Sequence, residues 1–391
     1  MGQLEVADIF RDFGPAWRKA NAGHISLGQL KVMTAIERCR SAALGGHVLR
    51  CTGCQEQQIA YNSCRNRHCP KCQASAAHRW LEARQLELLP VEYFHVVFTL
   101  PAPISDIAYQ NKAVIYNILF KAASQTLLSI GRDPKHLGAR LGLTAVLHTW
   151  GSAMTHHPHL HCIVPGGGLS EDRQRWVGCR SGFFLPVRVL SRLFRRLFLE
   201  QLEQAYRDGR LTFHGVLSAL EDTVAFKRRL QPTRSIDWVV YAKRPFAGPS
   251  SVLAYLSRYT HRIAIANSRL ISASADTVTF KWKDYRQEYS NQRKSMTLKT
   301  PEFIRRFLIH VLPSGFHRIP HYGLLANKAR SDSLSLARKH LKVVPEPEKQ
   351  IEEESALPVF TCRHCGEPMI IIQVIERPYA ARAPPVEGIT R

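Results

Sequence analysis

Apolar positions recur along this chain with two different spacings, and the switches between them divide it into elements. Residues 3–45 carry the helical spacing: Leu4, Ile9, Phe10, Phe13 and Trp17 make one stripe, and Leu30, Met33, Ile36 and Cys39 a second beyond a turn at 23–26. A further helix is predicted over 74–89, where Ala, Leu, Arg and Glu dominate until Pro90. From residue 93 the period drops to two. Residues 93–100 alternate and are rich in β-formers, so they predict the first strand of a sheet, ended by Pro101 and Pro103. One long helix is predicted over 105–130, with Ile107, Val114, Ile115, Ile118, Leu119 and Leu127 on its buried face. Residues 143–150 then predict a strand, joined by a short connection to a second strand around His159 as an antiparallel hairpin. Beyond it the pattern gives helices within 186–230, a strand over 238–242, a helix over 252–262, a hairpin over 269–272 and 277–283, a helix over 301–312 and a loop over 317–327. Strand, helix, then hairpin is the order of an α+β fold: an antiparallel-sheet palm with helices on one face and the other left for a substrate.

The second strand of that hairpin carries the first candidate chemistry. Residues i and i+2 of a strand share a face, so His159 and His161 present two imidazoles together while Leu160, Cys162 and Val164 face the apolar side. Pro158 fixes the strand start, and Gly166-Gly167-Gly168 follows where a substrate backbone could come close. Two histidines leave a metal ion under-coordinated. His148, on the partner strand, is the preferred third ligand, with His156, His157 and His261 as alternatives.

The helix over 252–262, introduced by the cap signal at Pro249-Ser250-Ser251, places Tyr255 and Tyr259 on one face, with Arg258 and Arg262 beside them. A phenol is a poor nucleophile at neutral pH, but a metal that polarises a scissile phosphate makes it a workable one. Charge supports a phosphate-rich partner: 54 Lys and Arg stand against 31 Asp and Glu, a net +23 spread along the chain. No apolar run approaches membrane-spanning length and no secretory layout opens the chain, so DNA rather than a membrane is the expected partner and the cytoplasm the expected compartment.

Six of the ten cysteines fall within residues 39–72. Cys51-x-x-Cys54 and Cys69-x-x-Cys72 have the spacing of a four-cysteine zinc ribbon, which favours thiolate–Zn2+ ligation over disulfides. Cys39, His47, Cys64 and His68 remain as a possible second zinc set, unless Cys64 or His68 joins a single site. Arg65 and Arg67 lie between the knuckles, which suits DNA recognition. Three parts follow: residues 1–90, a helical and zinc-binding DNA-recognition domain; 91–342, a catalytic domain; and 343–391, an acidic linker and tail in which Cys362 and Cys365 make half a knuckle.

These blocks resemble a known family. Leu147-His148-Thr149-Trp150-Gly151, the His159-Leu160-His161 motif with its glycine exit, and Tyr255-Leu256-Ser257-Arg258-Tyr259-Thr260-His261-Arg262 are similar to those of two-tyrosine HUH rolling-circle transposases of the insertion sequence ninety-one family. Phe303 to Phe307, His310 to Pro313 and His321 to Asn327 extend the likeness, so that with the cysteine cluster it runs over roughly residues 10 to 330. Pro320 departs from it, standing where a basic residue is expected. The resemblance implies an HUH endonuclease-like fold and alternating tyrosine nucleophiles that form a 5′-phosphotyrosine on single-stranded element ends. Imidazoles alone argue for a late transition metal; the resemblance implies Mg2+ or Mn2+. The alternative function is a zinc-ribbon DNA-binding regulator without catalysis, for which paired phenols beside a histidine edge have no use.

Overall fold

The computed structural model describes residues 3–85, 87–243, 252, 262–283, 294–343 and 360–378. Of the helix expected over 252–262 only Val252 and Arg262 are within that set; Tyr255, Tyr259, Arg258 and His261 lie outside the described residues. The chain divides into two compact units, one formed by residues 5–72 with 346–391 and the other by residues 73–345 with the first four.

The first unit opens with α1 (Val6–Ala20) and α2 (Leu27–Glu37), as the two apolar stripes predict. Ser26 starts α2 with a reciprocal cap: its hydroxyl accepts from the Gln29 N–H, and the Gln29 side chain accepts from the Ser26 N–H. Ile9, Phe10 and Trp17 of the first helix and Val32, Met33 and Ile36 of the second are buried. A hairpin of β1 (Gly46–Cys51) and β2 (Gln57–Tyr61) follows.

The second unit begins with α3 (Gln73–Gln85) and is built on a five-stranded antiparallel sheet. Its elements are β3 (Tyr93–Thr99), α4 (Ala102–Gln110), α5 (Lys112–Arg132), β4 (Gly142–Trp150), β5 (His156–Pro165), the short pair β6 (Gly167–Leu169) and β7 (Trp176–Gly178), α6 (Val187–Arg207), α7 (Thr223–Ser235) and β8 (Val240–Lys243). A three-stranded sheet of β9 (Leu270–Ala273), β10 (Thr277–Trp282) and β11 (Lys294–Lys299) comes next, then α8 (Thr300–Leu308), β12 (His321–Gly323) and α9 (Arg330–His340). Strand order in the main sheet is β12-β4-β5-β3-β8.

Alternation decides what each face does. Phe94, Val96 and Phe98 of β3, Leu143, Ala145 and Leu147 of β4, and Leu160, Cys162 and Val164 of β5 are buried in one core with α4, α5, α6 and α7. Their neighbours in sequence, His95, His148, His159 and His161, therefore fall on the opposite face. This is the α+β palm with helices on one face that the pattern predicts.

Several local expectations are corrected. The single helix over 105–130 is two, because buried Asn111 interrupts it: its side chain donates to the Ile107 and Thr212 carbonyls and accepts from the Thr212 N–H at 2.8 Å. That bond set ties the break to a distant loop. Among the described residues one helix, α5, is long and apolar enough by average composition to cross a membrane, yet its Ile115, Leu119, Ala122, Ala123 and Leu127 are all buried in the core. The loop over 317–327 contains β12, which pairs with β4 through His321 and Thr144. The glycines after β5 admit the protein's own backbone: a Cβ at Gly166 would stand 2.9 Å from the Glu92 carbonyl oxygen, and one at Gly168 would overlap the Arg140 carbonyl.

Residues 360–378 are no free tail. Their β13 (Phe360–Thr361) and β14 (Pro368–Ile375) form a hairpin, and β14 pairs antiparallel with β1 from Gly46↔Ile375 to Cys51↔Met369. The first unit's sheet is thus β13-β14-β1-β2.

Candidate metal centres

Register brings three histidines together on the palm. His148 of β4 lies directly across from His159 of β5, and His161 follows two residues on, so all three share the face away from the helices. Each offers a ring nitrogen, and the three nitrogens lie within 4.8 Å of one another. The rings meet edge-on: His148 to His161 at 4.4 Å, His159 to His161 at 4.9 Å and His148 to His159 at 5.5 Å between centroids. Trp150 stacks on His148 at 4.8 Å, displaced by a bulge between the two. Of the other candidates, His156 turns toward the helices, its Nε2 2.9 Å from the Tyr116 hydroxyl, and His157 is exposed.

The surroundings prepare these rings as neutral donors. His159 Nδ1 donates to the His157 carbonyl at 2.7 Å, which leaves Nε2 with its lone pair. Burial, with Arg262 and His157 nearby, lowers the His159 pKa to about 4, and burial beside the other histidines holds His161 well below the usual range. Neutral imidazole is the form that binds metal. His95 is a residue the sequence reading missed. It lies on β3, its Nε2 is 2.7 Å from His161 Nδ1, and it is almost fully buried. Only the pairing Val97↔His161, which sequence does not give, shows that His95 shares the histidine face. Orienting the free nitrogen of a ligand ring is a common supporting role around metals.

The cysteines group differently from the spacing argument. Cys51 and Cys54 do not join Cys69 and Cys72. One cluster is Cys39, Cys64, Cys69 and Cys72, and the other is Cys51, Cys54, Cys362 and Cys365. The correction has a topological cause: β1 and β2 carry the Cys51 knuckle against β14, while Cys39 follows α2 and meets the turn that carries Cys64, Cys69 and Cys72. In the first cluster the Cys39 sulfur is 3.5 Å from that of Cys72, and Cys64 is 3.6 Å from Cys72. A disulfide would need about 2.05 Å. Hydrogen bonds from Cys64 and Cys69 push the Cys39 thiol far down, and those from Cys39 and Cys64 push Cys69 far up. Four thiols gathered this closely are the donor set of a structural zinc. His47 and His68 belong to neither cluster; His68 is buried, its N–H on the Asn66 side chain.

Arg65 and Arg67 are exposed. Arg65 lines a cleft of about 810 Å³ with Lys31, Arg38, Tyr61, Asn62 and Arg377, a basic surface suited to phosphate. The hairpin of β9 and β10 is amphipathic: Phe280 is buried against Phe303, whereas Lys281 is exposed and Trp282 half-buried.

A histidine-faced palm and a cysteine-clustered module under this much positive charge place the chain among proteins that process nucleic acid. Known proteins agree. Residues 142–332 match a family described as "Putative transposase", and residues 9–100 match one described as "Transposase zinc-binding domain". The chain is 54% identical over 383 residues to "Putative transposase y4qJ" of Sinorhizobium fredii, an alignment that covers 95% of this chain and 96% of that protein. It is 25% identical over 357 residues to "Transposase for insertion sequence element IS801" of Pseudomonas savastanoi pv. phaseolicola, covering 89% and 84%. No solved structure matches it. The chain belongs to the transposases of the insertion sequence ninety-one family.

Proposed function

We propose that this transposase nicks and rejoins single-stranded element ends by tyrosine attack, in the HUH manner of rolling-circle transposition. The observation that supports this most is the convergence of His148, His159 and His161 on one face of the palm. Three neutral nitrogen donors fit a divalent ion, with phosphate and water completing the shell, and His95 and the His157 carbonyl would hold two of the rings in place. A bound Mg2+ or Mn2+ supplies Lewis-acid polarisation of the scissile phosphate.

The hydroxyl of Tyr255 or Tyr259 then attacks phosphorus. The P–O3′ bond breaks, the phenol proton leaves for solvent and the freed 3′ oxygen takes one up. The strand's 5′ phosphate stays on the tyrosine, so a later 3′-OH rejoins it without ATP. Arg258 and Arg262 would hold the phosphate near the metal; Arg262 is close enough to depress the pKa of His159 and His161. Arg65 and Arg67, on the zinc-bearing unit, would bind element ends. The protein would act in the bacterial cytoplasm, where its DNA is.

The test is incubation of the full chain with labelled single-stranded element-end DNA and Mg2+ or Mn2+, followed by a denaturing gel and peptide mapping. A covalent adduct on Tyr255 or Tyr259, lost in the Tyr255→Phe/Tyr259→Phe double variant while DNA binding stays within a few-fold, is the expected result. Undiminished nicking by that variant would refute the mechanism.

A further inference from the structure

We propose that Cys51, Cys54, Cys362 and Cys365 hold a second zinc ion, closing a ribbon whose two halves lie more than 300 residues apart in the chain. The zinc-binding segment matched by homology, residues 9–100, contains only one half of this set.

The sulfur spacing fits a tetrahedron, all four atoms lying within 4.8 Å of one another. Cys51 and Cys365 are 3.4 Å apart, Cys54 and Cys365 3.5 Å, and Cys54 and Cys362 3.6 Å. Zinc–sulfur bonds of about 2.3 Å set a tetrahedral edge of about 3.8 Å. A disulfide would bring one pair to about 2.05 Å and leave the others apart. Four thiolates also select the ion, because sulfur-only tetrahedra suit zinc and exclude Mg2+.

The two halves are built alike. Each Cys-x-x-Cys sits at the tip of a hairpin, β1–β2 for one and β13–β14 for the other. The Cys51 N–H donates to the Glu56 carbonyl at 2.9 Å, and the Cys362 N–H donates to the Glu367 carbonyl at 2.8 Å, the same span in each. The residue after each second cysteine is left-handed: Gln55 at φ +62° and Gly366 at φ +81°. The His364 N–H points at the Cys362 sulfur from 3.4 Å, which suits a thiolate. Gly53 lets the knuckles meet, since a Cβ there would be 2.9 Å from Glu367 Cγ.

Packing alone is thin. The apolar cluster here consists of Leu49, Cys51, Cys362 and Met369 with Ala60 and Phe360 beside them, and β13 is two residues long. A hairpin of that size needs a staple, and the four sulfurs supply one.

Cys54 and Cys365 are exposed, so in the absence of metal they would be the first thiols to react. The test treats native, zinc-replete full-length protein with a maleimide and maps the products by mass spectrometry, with and without prior zinc chelation. We expect Cys54 and Cys365 to be protected until the chelator is added. In parallel, the Cys362→Ser/Cys365→Ser variant should hold one zinc atom per chain fewer than wild type, and should keep the atom that Cys64→Ser removes. Immediate labelling of Cys365 in zinc-replete protein, unchanged zinc content in the double variant, or a Cys54–Cys365 peptide lighter by two hydrogens would each overturn the proposal. None of these readouts depends on transposition chemistry.

Discussion

His95 and His161 lie edge to edge in nearly one plane, 5.0 Å between centroids and 6° from parallel, with a 2.7 Å contact between Nε2 of the first and Nδ1 of the second. One proton is shared along that contact. If His161 gives its Nε2 to a metal, its Nδ1 must donate and His95 must accept, so His95 fixes both the tautomer and the tilt of the ligand ring. His95→Phe should raise the Mn2+ concentration needed for half-maximal nicking by about 10- to 100-fold while the circular dichroism stays native. His95→Gln, which keeps an acceptor, should recover part of the loss. An unchanged metal requirement in His95→Phe would show that His95 only fills space.

Asn111 joins two segments that the helical period alone would have fused or left apart. With alanine there, the Thr212 N–H and C=O lose their partners at a half-buried junction, at a cost of about 1 kcal/mol in urea unfolding. Asn111→Leu, of similar volume but without polar atoms, should lose as much as alanine. Full stability in the leucine variant would assign the effect to packing instead.

Glycine at 168 faces the backbone of Arg140, whereas nothing stands within 4 Å of a Cβ at Gly178. Gly168→Ala should therefore destabilise the second unit by about 1–3 kcal/mol, and Gly178→Ala by no more than about 0.5 kcal/mol. Thermal unfolding of the two variants side by side tests this, and equal midpoints would contradict it.

Acid should weaken the fold before the carboxylates titrate. Burial, with Arg330 and Arg84 alongside, lowers the His321 pKa to about 4, and burial with Lys112 nearby does the same to His156. Both are neutral in the fold and gain a proton in the unfolded chain near pH 6.5. Their stabilising contribution is complete above that pH and is lost as pH falls from 6.5 toward 4. The slope is at most roughly 1.4 kcal/mol per pH unit for each, less the screening that partial exposure brings. Urea midpoints at pH 7 and pH 5 should differ, and His321→Gln should narrow the gap. A wild-type midpoint independent of pH over this range would refute it.

Much of the palm could be read in the chain because period-two alternation and a single buried face specify a strand's register against its helices. Leu160, Cys162 and Val164 announced the core side, and His159 and His161 the other. The third histidine followed from hairpin geometry. What stayed hidden depended on contacts between residues remote in sequence. His95 joins the site only through the β3–β5 register. Asn111 breaks a helix by bonding to Thr212. The cysteines were misgrouped because two adjacent Cys-x-x-Cys pairs at ribbon spacing are indistinguishable from one ribbon until strand pairing separates them. Lacking that pairing, Cys362 and Cys365 looked like half of a site, which is what they are.

The split ribbon imposes an order of assembly. A ribosome releases Cys51 and Cys54 early and Cys362 and Cys365 only after the whole catalytic domain, so β1 waits through synthesis with one edge unpaired and two thiols uncovered. A copy of the gene cut short by a stop codon or frameshift anywhere between would yield a protein whose first unit never closes. Exposed strand edges and bare thiols attract aggregation and proteolysis. The last residues to be made are therefore the ones that close the first unit's sheet and its cysteine cluster.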